Sequence, residues 1–108
     1  ASLGFSLTLD LRAPHAKQSV ISDLLRRINE RLWLGHFDYW NEDGVAVFRH
    51  TIPMLDRIAP DPGEIVAILT AALDAADQFL PAFNFVVWAG KSAEEAVAAV
   101  AFETAGEA

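Results

Sequence analysis

Cysteine is missing from all 108 residues, which excludes disulfides, thiolate metal sites and cysteine nucleophiles. No covalent staple exists, so the core must hold the fold unaided. The absence fits a reducing cytoplasm at least as well as an oxidising compartment. Positive charge is scarce in the second half. Residues 58–108 carry eight acidic side chains and only Lys91, whereas residues 1–57 balance seven acids against seven bases. A net charge of −7 repels phosphate backbones and argues against a nucleic-acid partner. A long apolar run is also missing. The most apolar stretch, Phe79 to Gly90, contains Pro81 and Asn84 and falls short of the roughly 20 residues that a bilayer span needs. No basic segment precedes an apolar run at the start, and the chain opens on Ala1. The expectation is therefore no signal peptide, no membrane association, and the C-terminal portion of a longer protein. What is present is a composition 53% hydrophobic and 21% charged. That excludes intrinsic disorder and gives one domain, residues 1–108, around one core.

Periodicity divides the chain. Leu3, Phe5, Leu7, Leu9 and Leu11 alternate with Gly4, Ser6, Thr8 and Asp10, the pattern of a strand with one buried face. Pro14 changes the period. Val20, Ile21, Leu24, Leu25, Ile28 and Leu32 then form a helical stripe, opposite a face holding Lys17, Asp23, Arg26, Arg27, Glu30 and Arg31. Beyond Gly35, the runs 36–40 and 45–52 flank Asp43-Gly44, a pair that favours a two-residue type I′ turn. That register sets Asp38 opposite Arg49 and Tyr39 opposite Phe48. Phe37, Tyr39, Ala46, Phe48, His50 and Ile52 share the inner face; His36, Asp38, Trp40, Val47, Arg49 and Thr51 share the outer one. Asp61, Pro62 and Glu64 open a helix at N-cap, N1 and N3. Its stripe is Ile65, Ile68, Leu69, Ala72, Leu73, Ala76, Phe79 and Leu80. Pro81 is the position to stop or kink it, although 82–89 contains no other breaker. Gly90 ends the run, and Ser92 with Glu95 forms a capping box for a last helix from Ala93 to about Thr104, with Ala96, Val97, Val100 and Ala101 inward. The order is β-α-β-β-α-α, an α+β architecture with an antiparallel sheet of at least three strands and helices on one face.

Chemistry-bearing motifs are weak. Ala89-Gly90-Lys91-Ser92 resembles the tail of a P-loop, but the first glycine of that motif would fall at Phe85. His36, Asp38 and His50 do not converge, because His50 lies on the opposite sheet face; a hydrogen-bonded core position is expected for it. Asp74 and Asp77 sit off the apolar stripe and read as solvated acids. Neither G-x-S-x-G nor H-E-x-x-H occurs. No enzyme, cofactor or metal is expected. The aromatic segment around Phe79, Phe83, Phe85 and Trp88, with Trp33 and Trp40 near the hairpin, holds more large side chains than one helix stripe can bury. A thick internal core and a homodimer interface both account for it.

The segments FSLTLDLRAP, INERLWLGHFDYWNEDGVAVFRHTIP, ALDAADQFLPAFNFVVWAGKSAEEAVAA and FETAGEA resemble the YbjN family along essentially the whole chain. Family members are described as bacterial sensory transduction regulators. The resemblance implies a fold like that of type III secretion chaperones, commonly paired into dimers, with an upstream helix and strands that this chain lacks. It defines no catalytic residues. The expectation is a cytoplasmic, non-enzymatic protein-binding domain, a regulator or chaperone-like adaptor that homodimerises and binds a further protein. Its expected interaction residues are Trp40, Phe83, Phe85 and Trp88. The alternative is a small-molecule sensor or an enzyme with a pocket between sheet and helices.

Overall fold

The structure, a computed structural model, describes residues 2–107, with side chains described through residue 100. The chain runs as β1 (Ser2–Asp10), a 3₁₀ turn (His15–Lys17), α1 (Gln18–Asn29), β2 (His36–Trp40), β3 (Val45–Pro53), α2 (Pro62–Val87) and α3 (Ala93–Glu107). The strands form one antiparallel sheet in the order β1-β3-β2. The α+β architecture expected from periodicity is the one observed. Helices α1 and α2 lie over β2 and β3, and α3 packs on both helices.

The hairpin register corrects the sequence expectation by two residues. Phe37 stands opposite Phe48 and Tyr39 opposite Ala46, with Trp40 closing on Val45. The connection is thus a four-residue turn, 41–44, closed by the Gly44 N–H donating to the Trp40 carbonyl at 2.9 Å. Only Gly44 takes a positive φ, +66°, whereas a type I′ turn needs two such residues. A shift of two preserves side-chain parity, so every expected face assignment survives. The Asp38–Arg49 ion pair also forms, at 3.2 Å, as a diagonal contact and not a directly opposed one.

The core is built from Ile21, Leu24 and Ile28 of α1, Phe37, Ala46 and Phe48 of the sheet, Phe79, Phe83 and Val86 of α2, and Ala93, Ala96, Val97 and Val100 of α3. Its centre is aromatic: Phe37 stacks on Phe79 at 4.5 Å and meets Phe48 edge-on at 5.5 Å. Ala101 lies outside the described side chains. Helix α2 continues through Pro81 to Val87, although proline leaves the Asp77 carbonyl without its helical donor. Burial of Phe79, Ala82, Phe83 and Val86 around that point offsets the missing bond. Read as one element, α2 is long and apolar enough by length and composition to cross a membrane. The stretch Phe79 to Gly90, weighed alone from the sequence, covers only the last part of this helix. Nine of its 26 residues are buried against protein, while Ile65, Val66, Leu69 and Leu73 stay exposed.

Three caps fix the ends. At the start of α2, the Asp61 N–H donates to Glu64 Oε1 at 3.3 Å. Ser92 and Glu95 exchange backbone-to-side-chain bonds at 3.0 and 3.1 Å. Gly90, with φ +69°, supplies the left-handed residue that ends the preceding helix.

Candidate interaction surface

The helix layer is narrower than the sheet. Phe5, Leu7 and Leu9 of β1 pack at the margin of the core and stay half-buried. Beside them, Ile65, Val66, Leu69 and Leu73 on the flank of α2 are 44–63% exposed, and Leu3 is 44% exposed. Ile65, Leu69 and Leu73 recur every four residues and form one stripe. Between the two elements runs a groove of about 190 Å³, lined by Leu3, Gly4, Phe5, Ile52, Pro60, Ile65 and Ile68. No titratable side chain lines it.

The connection from β3 to α2 forms one wall of this region, and Arg57 holds it. The Arg57 guanidinium donates to Glu64 at 2.7 Å and to the Pro53 carbonyl at 3.1 Å. The guanidinium holds the Glu64 carboxyl below the usual carboxylate range, and Arg57 itself is raised by the same bond. In α1, bonds from Arg26 and then Arg27 lower Asp23. Burial pushes the Tyr39 hydroxyl up; that hydroxyl donates to the Leu11 carbonyl at 2.7 Å and ties the end of β1 to β2.

The four expected interaction residues do not form one patch. Phe83 is 1% exposed and packs against Phe79 and Tyr39 at 5.9 and 5.8 Å, so in this fold it belongs to the core and not to the surface. Phe85 is half-buried against that core. Trp40 is 47% exposed on the outer sheet face, away from the helices, and Trp88 is 66% exposed where α2 ends. The aromatic excess is thereby divided among the described residues: Phe37, Phe48, Phe79 and Phe83 are interior and the tryptophans, Trp33 included, are exposed.

The stripe at Ile65, Leu69 and Leu73 was assigned to the core by periodicity. The missed signal was side-chain size. Ala72, Ala75, Ala76 and Ala82 line the buried face, where small residues let neighbouring helices approach, and the large residues are displaced to the flank.

The weak chemical motifs stay unassembled. His36 and Arg49 both reach Asp38, at 3.5 and 3.2 Å, on the outer face. His50 lies on the inner face but is half-buried, not the enclosed core residue expected, because the helices do not cover that end of β3. Asp74 and Asp77 are exposed. Among the described residues, no group of three or more His, Asp or Glu side chains is placed to hold a metal.

The comparisons agree with the sequence resemblance over most of the chain. No curated protein and no solved structure matches, so the likeness to type III secretion chaperones has no structural counterpart. One family model matches residues 1–85, from β1 nearly to the end of α2, and its description is "Putative bacterial sensory transduction regulator". Strand β1, helix α1, the hairpin and nearly all of α2, including every residue that lines the apolar groove, thus fall inside the matched region, and the chain belongs to the YbjN family.

Proposed function

We propose that this chain is a non-enzymatic protein-binding domain, a regulator or chaperone-like adaptor in bacterial sensory transduction that works as a homodimer in the cytoplasm. One observation carries the reading: an apolar step, formed by Leu3 of β1 with Ile65, Val66, Leu69 and Leu73 of α2, is left in water by a helix layer too narrow for its sheet. Exposed apolar surface rimmed by polar residues favours contact with another polypeptide. The acidic second half of the chain biases the choice of partner toward basic surfaces. The expected test is substitution of Leu69 and Leu73 by Asp. Self-association by light scattering and capture of a defined partner should both be lost, with circular dichroism unchanged. Retention of both would refute the reading.

The groove of about 190 Å³ favours a second reading, a sensor of a small apolar ligand. Its lining offers no acid, base or nucleophile for turnover. Thermal stabilisation by an apolar metabolite, abolished by filling the groove with Ile65→Trp, would select this reading over the first.

A further inference from the structure

Six arginines occur in the chain. Arg12, Arg26, Arg27, Arg49 and Arg57 each lie within 4.0 Å of a carboxylate. Among the described residues, Arg31 alone has no such partner. It lies in the turn that ends α1, where its backbone N–H donates to the Ile28 carbonyl at 2.9 Å. Two residues on, Trp33 is 77% exposed. Both line a groove of about 210 Å³ between this connection and α2. From α2 come Ala71, Asp74, Ala75 and Gln78, whose spacings of three and four place them on one helical stripe.

Two features hold the groove open. Asn29, the last residue of α1, donates to the Phe37 carbonyl at 3.1 Å and accepts the Phe37 N–H at 2.8 Å. The end of α1 is thereby pinned to the start of β2, and the short connection that carries Arg31 and Trp33 is fixed at both ends. On the α2 side, Ala71 and Ala75 end at Cβ and leave the space unfilled. Leu32 and Leu34, half-buried against the core, make part of the wall apolar.

The polar groups around the groove are unspent. Among the described residues, the side chains of Asp74 and Gln78 have no hydrogen-bond or ion-pair partner, and Gln78 is half-buried. Arg31 and Asp74 carry opposite charges on one groove, yet do not close on each other as an ion pair. A simple anion would be repelled by Asp74, and a simple cation by Arg31. A ligand with both charges satisfies both groups. The Gln78 amide can donate to its carboxylate or accept from its ammonium, and the indole of Trp33 offers a face to an apolar body. The volume lies below the roughly 300–1,000 Å³ of drug-sized pockets and limits the ligand to a small molecule.

We propose that this groove binds a free amino acid with an apolar side chain, its carboxylate on Arg31, its ammonium on Asp74 and its side chain against Trp33. The site shares no residue with the apolar groove beside β1 and stands apart from the protein-binding reading.

The test follows single indoles. The chain has three tryptophans, hence three indole N–H signals in a nitrogen–proton correlation spectrum, and Trp33→Phe identifies the one at the site. Leucine or phenylalanine should move that signal saturably, with a Kd of about 1 mM or tighter, and leave those of Trp40 and Trp88 in place. Isoamylamine and isocaproate carry the leucine side chain with one charge each; phenethylamine and hydrocinnamate do the same for phenylalanine. Each should bind at least tenfold more weakly than its parent amino acid. Arg31→Gln and Asp74→Asn, both at exposed positions, should each weaken binding at least tenfold while the rest of the spectrum stays folded. If a variant fails to fold, the one-charge analogues on the wild type decide. An unmoved Trp33 signal up to about 10 mM of both amino acids overturns the proposal. So does an equal shift of all three indoles, an analogue that binds as tightly as its parent, or a folded variant that binds as well as the wild type.

Discussion

Replacing Gly35 by alanine isolates how tightly the sheet packs at its centre. Gly35 joins α1 to β2 with φ +71°. A Cβ there would stand 2.8 and 3.0 Å from two carbons of the Phe48 ring and closer still to the ring tip. Phe48 cannot swing clear, because it is fully buried between Phe37 and Phe5. The left-handed backbone costs about 1–2 kcal/mol for any residue with a Cβ. Overpacking the ring adds about 1–3 kcal/mol. The less flexible unfolded chain returns about 0.4–1 kcal/mol. A net loss of about 2–4 kcal/mol is expected, read as a lowering of Tm by roughly 8–20 °C in a domain of this size. Gly90→Ala is the matched control. Its φ is +69°, but nothing lies within 4 Å of the added carbon, so only the backbone cost of about 1 kcal/mol remains. Urea titration of both variants separates the two contributions. If Gly35→Ala costs no more than Gly90→Ala, the ring yields freely and the packing argument fails.

Three further outcomes are expected. Asn29→Ala leaves the Phe37 backbone groups without their partner and should lower stability by about 1–3 kcal/mol in chemical denaturation. Phe83→Ala should cost about 3–5 kcal/mol as a core truncation, whereas Trp88→Ala should stay within about 0.5 kcal/mol; equal effects would contradict the division of aromatics between core and surface. Acid should destabilise the fold through Asp23, Glu64 and Glu95, whose pKa values are held down by Arg26, Arg57 and the Ser92 backbone respectively. A lowered folded pKa contributes stability that is present above the unfolded value, about 4, and fades as pH falls through the folded one. Tm should therefore decline below about pH 4, and Glu64→Gln should shallow that decline.

How far the sequence could be read depends on which signal each element used. Strand β1 was legible because its alternation of four leucines and one phenylalanine has one period and one face. Both predicted caps, Asp61 to Glu64 and Ser92 to Glu95, were legible because capping is local chemistry within four residues. The hairpin register was misread where Asp43-Gly44 left two turn lengths open, and only the backbone angle of one residue decides between them. The end of α2 was open at Pro81, since whether a helix survives a proline depends on tertiary burial that no local rule contains. The candidate surface was the least legible part. Leu69 and Leu73 are as hydrophobic as any core residue; what strands them in water is the width of a layer made elsewhere, by alanines that draw α1 and α3 inward.

The clip that Asn29 places on Phe37 also guards the β2 border of the sheet. A strand border whose central N–H and carbonyl are already occupied makes a poor template for a foreign strand, so one amide side chain on a neighbouring helix protects that side from edge-to-edge aggregation.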